Sequence, residues 1–296
     1  MFAKKRKTPC PVDEEAQKAK AELLRFRMND FSLPDDNNEQ YRIAVEDAVK
    51  EYPFIQELLD LNLVPEVYRL PDDSVAVYIK RYIDAMEEKE IIQELERLDL
   101  AHFLWGRPTR RLFTYIDKNP PPPLSSEEKK RIASAPPQLY KRGPNKGKAK
   151  PPLKIKRDKQ AFPPGLKAVA ERLEPIAGLP LNKALINKYR RAKCKTKKGE
   201  WTQGAGKDNM PPHRDSECIF GKNKPIVSVS LGEGRLFYIQ HESSGKALRF
   251  RLGHGDLLLM TPILNKHCVH WVPNEPLLAP VQDRWNITFR SVIPKK

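Results

Sequence analysis

RWNITFR, from Arg284 to Arg290, alternates without a break between polar and apolar residues. Trp285, Ile287 and Phe289 form one set; Arg284, Asn286, Thr288 and Arg290 form the other. Successive side chains of an extended chain project to opposite sides, so this spacing predicts a strand with one face in a core. Its other face aims two guanidinium groups, an amide and a hydroxyl the same way. Similar short runs surround it: KALINKYR, PIVSVSLG, RLFYIQ, ALRFRL, GDLLLM and HCVHWVP. Many short strands separated by turns predict a β-sandwich or barrel.

Further upstream the pattern changes. Residues 1–70 are polar and carry two helical periodicities, EEAQKAKAELLRFRM and EQYRIAVEDAVKEYPFIQELLDL, which read as a partly helical N-terminal tail. An ordered domain is expected over 71–296, opening with the β-rich run SVAVYIKRYI. Asp84 and Glu87 read as a capping box that starts the helix AMEEKEIIQELERL. HFLWGRPTRRLFTYID reads as a strand pair around a turn at Gly106 to Pro108. Beyond Asp117 come the polyproline stretch Pro120 to Leu124 and a basic, Pro- and Gly-punctuated loop over 141–159. GLKAVAERLEPIA has the apolar spacing of an amphipathic helix. A helical N-terminal layer is expected to cover one of the sheets.

The chain has 296 residues, with 54 Lys and Arg against 38 Asp and Glu, a formal net charge of +16. That balance favours an anionic partner, and nucleic acid is the commonest. No apolar run reaches the length of a bilayer span, so no membrane partner is expected. MFAKKRKTPCP is basic without a following apolar stretch and is succeeded by Asp13, Glu14 and Glu15, unlike a secretory or transit signal. Lys4 to Lys7 reads as a nuclear address, with a solvated tail on a cytoplasmic protein as the alternative. Cys10, Cys194, Cys218 and Cys268 are scattered, as expected for reduced intracellular thiols.

Chemistry is concentrated in HRD, residues 213–215. In an extended segment His213 and Asp215 point to the same side. A second histidine lies downstream in HCVHWVP, as either His267 or His270. Two histidines and one carboxylate, with three positions left open, are the facial ligand set of non-haem Fe(II) oxygenases. Such enzymes often take the dicarboxylate 2-oxoglutarate as co-substrate, and Arg suits carboxylates because its planar fork meets them bidentately. Arg284 and Arg290 lie about 20 Å apart along an extended strand. One is therefore expected to bind the ligand directly while the other reaches in from further along.

In order, H-x-D, a distant His and R-x-N-x-T-x-R resemble the signature of the AlkB-like Fe(II)- and 2-oxoglutarate-dependent dioxygenases. LINKYR is similar to that family's L-x-N-x-Y, and PIVSVSLG and HGDLLLM to its core strands. The resemblance implies an α+β fold with a double-stranded β-helix (jelly-roll) core. It implies Fe(II) held by His213, Asp215 and His270, since the family's H-x-V-P falls on HWVP and leaves His267 as a structural neighbour. It further implies 2-oxoglutarate contacts from Asn187, Tyr189, Arg284, Asn286 and Arg290. His241 and His254 read as turn or strand-surface residues.

The implied activity is oxidative demethylation of N-alkylated bases in DNA or RNA with release of formaldehyde, by a monomer. The alternatives are an oxygenase acting on protein and a non-catalytic nucleic-acid-binding protein. By the same resemblance, RRLFTYID occupies the lid over the base, which makes Phe113 and Tyr115 stacking candidates. Trp105, in the FLWG tip, becomes a candidate wedge into a duplex. This chain departs from the compact family pattern between Tyr189 and His213. Its insertion makes 188–198, like 141–159, an expected basic loop contacting phosphates.

Overall fold

The alternation of RWNITFR is carried by a strand buried on both faces. The computed structural model describes residues 38–104, 107–120, 125–127, 160–190, 193–195, 201–203, 208–215, 225–274 and 282–291. From the N-terminus the elements are β1 (Arg42–Ile43), α1 (Val45–Glu51), α2 (Phe54–Asp60), β2 (Glu66–Leu70), β3 (Ser74–Ile79) and α3 (Ala85–Leu95). Then follow β4 (Ala101–Leu104), β5 (Arg107–Asp117), β6 (Gln160–Ala161), α4 (Pro164–Ala177), β7 (Lys183–Tyr189), β8 (Lys193–Lys195) and β9 (Trp201–Gln203). The remainder is β10 (Met210–His213), β11 (Ile226–Gly232), β12 (Arg235–His241), β13 (Ala247–Leu252), β14 (Asp256–Met260), α5 (Pro262–His267), β15 (Cys268–Val272) and β16 (Arg284–Arg290).

The larger sheet has the order β1-β2-β3-β14-β11-β16-β7-β5-β4, with β6 beside β5; the smaller has the order β10-β15-β12-β13. From β7 onward the chain passes repeatedly between the two: β7, β11, β14 and β16 belong to the larger sheet and β10, β12, β13 and β15 to the smaller. That exchange is the jelly-roll arrangement.

Period-two geometry divides the larger sheet into two unlike faces. Val75, Val77, Ile79, Ala184, Ile186, Val227, Val229, Leu231, Leu257, Leu259, Trp285, Ile287 and Phe289 share one apolar cluster with Ile55 and Leu58 of α2, Ile91 and Leu95 of α3, and Leu166, Val169 and Leu173 of α4. On the other face, Tyr68, Ala76, Ile226, Leu258 and Met260 share a second cluster with Phe237, Ile239, Leu248, Phe250 and Leu252 of the smaller sheet. Cys268 belongs to this second cluster as a free thiol, and burial pushes it up to about 11. It is a packing residue rather than a thiolate.

Residues 38–70 differ from the expected tail. Pro53 divides the second helical periodicity into α1 and α2, and β2 pairs antiparallel with β3 over five residues, Glu66 to Leu70. The expected boundary at residue 70 falls inside this hairpin, and the compact unit begins at Asn38. The polar character of this stretch belongs to its exposed helix faces, while Ala48, Ile55, Leu58 and Val67 enter the core. The first helical periodicity, the Lys4–Lys7 run, Trp105 and the 141–159 loop lie outside the described residues.

The 188–198 segment also differs from the expected loop. Lys188 is buried in β7, with Nζ 2.7 Å from Glu96 Oε1, 3.0 Å from Asp283 Oδ2 and 4.5 Å from the Trp285 ring centre. Arg190 grips Asp208 through two 2.8 Å hydrogen bonds from Nε and Nη2. These two cations are therefore committed inside the fold. Lys193 to Lys195 form one arm of the β8–β9 hairpin.

Asp84 Oδ1 caps α3, accepting from the backbone N–H groups of Met86 and Glu87 at 2.8 and 2.9 Å. Glu87 itself accepts a hydrogen bond from Arg172 of α4. At the β13–β14 turn, Gly255 has φ +86° and a Cβ there would lie 2.1 Å from the Ile83 carbonyl oxygen. Gly255→Ala is expected to cost about 2 kcal/mol or more, because left-handed strain and the backbone clash act together. A denaturant midpoint unchanged from wild type would show that the turn tolerates a side chain.

Candidate metal and co-substrate site

β10 ends at His213, which pairs in register with His270 of β15. Their ring centres are 4.4 Å apart. Two residues beyond His213, Asp215 Oδ2 comes to 3.6 Å from His270 Nε2. One ligand atom from each of His213, Asp215 and His270 lies within 4.8 Å of the others. Of the two histidines left open by HCVHWVP, His270 is the one that faces His213 and Asp215. His267 points elsewhere, toward Asp72 and His241.

Both imidazoles are biased toward the neutral form. Burial pushes His213 below the usual histidine range; nearby Asp215 opposes this and Arg111 adds to it. Burial also pushes His270 well down, reinforced by the proximity of His213 and Arg290. A neutral ring offers a lone pair, which a metal requires. His213 Nδ1 lies 2.9 Å from the Pro211 carbonyl oxygen. Donation there orients the ring and leaves Nε2 for a metal. His270 is stacked on Phe237 at 5.7 Å, and its buried Nδ1 has no hydrogen-bond partner among the described residues. Two neutral imidazoles and a carboxylate at this spacing fit a divalent iron.

Asp215 is fixed through its backbone by a residue the sequence did not single out. Asn265 of α5 accepts from Asp215 N–H and donates to Asp215 C=O, both at 3.1 Å. Thr261 caps α5 through Leu264 N–H and donates to the Val75 carbonyl, which seats the helix against β3. Arg290 Nη2 approaches Asp215 Oδ1 at 3.4 Å.

Leu185, Asn187, Tyr189, Met210, Ser228, Asn286 and Thr288 line a cavity beside these ligands. Among its described lining residues the one carboxylate is Asp215. The polar set of β16 faces this interior. Asn286 donates to Ser228 Oγ at 2.7 Å, and Arg284 Nη2 donates to Ser230 Oγ at 2.7 Å and Nε to the Leu252 carbonyl at 3.1 Å. Ser228 and Ser230 are the polar members of PIVSVSLG, so their alternation already pointed to the same face. Arg284 lies against the Tyr189 ring, 5.2 Å from its centre. Arg290 marks the iron-ligand end of the strand and Arg284 the other.

Arg111 of β5 is a further buried cation absent from the sequence reading. Its Nε donates to Asn187 Oδ1 at 2.6 Å, and its guanidinium is 5.9 Å from the Phe113 ring centre. The signal was present in RRLFTYID, where Arg111, Phe113 and Tyr115 alternate onto one strand face. Phe113 is only 5% exposed, whereas Tyr115 is 48% exposed and sits 5.9 Å from the Arg290 guanidinium. Of these two rings, Tyr115 presents the accessible surface.

A family model described as the 2OG-Fe(II) oxygenase superfamily matches residues 76–290. Over 142 residues the chain is 34% identical to the DNA oxidative demethylase ALKBH2 of Mus musculus, covering 45% of this chain and 52% of that protein. It is 29% identical over 140 residues to the alpha-ketoglutarate-dependent dioxygenase alkB homolog 3 of Homo sapiens, covering 44% and 43%. The chain thus spans about half the length of the curated relatives it matches. The solved structure of OsALKBH1 aligns with a TM-score of 0.45 and 16% identity, over 76% of this chain and 99% of that one. The matched span contains both histidines, the aspartate and the whole of β16, and the chain, similar to AlkB-type proteins, belongs to the 2OG-Fe(II) oxygenase superfamily, with Fe(II) and 2-oxoglutarate as its metal and co-substrate.

Proposed function

We propose that this protein is an oxidative demethylase that removes N-alkyl groups from bases of DNA or RNA and releases formaldehyde. The observation that carries the reading is the meeting of His213, Asp215 and His270 with Asn286 and Thr288 of β16 around one cavity. Similarity to a DNA oxidative demethylase and the net charge of +16 support a nucleic-acid substrate. The Lys4–Lys7 run supports a nuclear setting, and the protein is taken to act as a monomer.

His213, Asp215 and His270 would hold the iron. Bound iron and 2-oxoglutarate supply the oxidising chemistry: dioxygen is reduced, 2-oxoglutarate becomes succinate and CO2, and the N-methyl group is hydroxylated and lost as formaldehyde. The chain's own residues bind and orient. Arg284 and Arg290 would serve the dicarboxylate unequally, one binding it directly and the other reaching in from further along β16, with Asn187, Tyr189 and Asn286 as further contacts. Arg111 fixes the Asn187 amide, and Phe237 closes off the back of His270 from water. Tyr115 offers its exposed ring to a flipped base, with the Arg290 cation behind it.

The reading is tested by incubating the protein with Fe(II), 2-oxoglutarate and methylated single- and double-stranded DNA, RNA or a histone tail. Loss of methyl groups from a nucleic acid, matched by formaldehyde, is the expected result. Turnover on the peptide alone would replace this reading with that of a protein oxygenase. His213→Ala and Asp215→Ala are expected to abolish turnover while preserving nucleic-acid affinity. Full activity in Asp215→Ala would overturn the iron assignment. Arg284→Lys is expected to raise the 2-oxoglutarate requirement, since an ammonium does not reproduce a bidentate fork.

Asn265 generates a separate expectation. Asn265→Ala is expected to weaken Fe(II) or Co(II) binding by roughly 10-fold or more, because residues that orient a ligand commonly control affinity on that scale. Metal titration of the purified variant checks this. Wild-type affinity would show that Asp215 holds its position without the clip.

A further inference from the structure

Outside the cavity just described, three more metal-ligating side chains converge. Asp72 lies in the β2–β3 turn, His241 ends β12 and His267 ends α5. His241 Nε2 is 3.0 Å from Asp72 Oδ2, His267 Nδ1 is 3.7 Å from the same oxygen, and one ligand atom of each lies within 4.8 Å of the others. The two imidazoles are stacked, with planes 20° apart and centres separated by 6.0 Å. His241, expected in a turn or on a strand surface, is 1% exposed.

We propose that Asp72, His241 and His267 form a second metal site, separate from the iron site, that binds Zn(II) with water completing the coordination. Tetrahedral zinc with bonds of about 2.0 Å to imidazole nitrogen and carboxylate oxygen sets its ligand atoms roughly 3.3 Å apart. The two measured separations, 3.0 and 3.7 Å, lie on either side of that value. Imidazole donors favour zinc over magnesium or calcium, which prefer all-oxygen shells. His241 Nδ1 accepts from the Ser244 backbone N–H at 3.4 Å and lies 3.0 Å from Ser244 Oγ, so in the metal-free protein Nε2 donates to Asp72. Zinc would take the place of that Nε2 proton, and the Ser244 hydroxyl would then accept from Nδ1–H, the outer hydrogen bond typical of a ligating histidine. The Asp72 and His267 side chains are 56% and 32% exposed, which gives the ion a route in and room for water.

The three ligands come from distant parts of the chain; Asp72 and His241 alone are separated by 169 positions. The unfolded chain does not assemble such a site, so zinc would stabilise the folded state by mass action. It would join the β2–β3 turn and the end of β12 to the end of α5. That helix also carries Asn265, which clips the Asp215 backbone.

The test counts zinc. Wild-type protein is expected to take up two equivalents of Zn(II), one in each histidine–aspartate cluster, and Asp72→Asn or His267→Ala only one. In a His213→Ala, Asp215→Ala background, one equivalent should remain and should raise the melting temperature by about 5 °C at a hundredfold excess over Kd. Co(II) should give the visible absorption of a tetrahedral site there. Asp72 has φ 56°, a conformation Asn tolerates, so Asp72→Asn keeps the turn and can still accept from His241. Its metal-free melting temperature is therefore expected to match that of its parent. Zinc stoichiometry and melting shift that survive both Asp72→Asn and His267→Ala would overturn the proposal. So would one equivalent in wild type with none in the iron-site background; the cluster would then be a hydrogen-bonded staple only.

Discussion

The insertion of β16 between β11 and β7 is the constraint on which the rest of the structure depends. A central strand is buried on both sides, and its two sets of side chains meet different environments. Trp285, Ile287 and Phe289 enter the core shared with α2, α3 and α4, which fixes the register. Once that register is set, Arg284, Asn286, Thr288 and Arg290 have no choice but to face the interior of the jelly roll. A slip of one residue would bury two guanidinium groups among the helices and expel the indole, so no alternative pairing competes.

Burying cations in this way is costly unless each finds hydrogen-bond acceptors. The fold supplies them from its own backbone and from small polar side chains: the Leu252 carbonyl and Ser230 for Arg284, Asn187 for Arg111, and the Asp208 and Pro273 carbonyls for Arg235. These partners hold the guanidinium groups in place around a cavity whose described lining includes one carboxylate, Asp215. A small dicarboxylate is the ligand such an interior favours.

The iron ligands are positioned by a different principle. His213 and His270 face one another because β10 and β15 are paired, so sheet register alone brings them together. Asp215 lies beyond the strand end, where no ladder holds it. Asn265 replaces the missing ladder by bonding both the N–H and the C=O of that one residue. Asp215 thus depends on α5, a six-residue helix whose own seat is the Thr261–Val75 contact.

Much of this was legible in the sequence. Period-two alternation in RWNITFR, PIVSVSLG and GDLLLM reports which face of each strand is apolar, because side-chain direction is a local property of extended backbone. The spacing of His213 and Asp215, and the polar face of β16, were readable for the same reason. Local pattern does not reveal which strands become neighbours. The resemblance of HWVP to H-x-V-P singled out His270, but only the tertiary structure showed it facing His213 and sent His267 to Asp72 and His241, since both histidines occupy the same short segment. Only packing showed that Lys188 and Arg190 are spent on Glu96, Asp283 and Asp208, because a basic run looks alike in sequence whether its partners are phosphates or distant carboxylates. Arg111 and Asn265 escaped notice on the same ground. Their roles rest on contacts across 76 and 50 positions, and contacts at that range are decided by the fold as a whole.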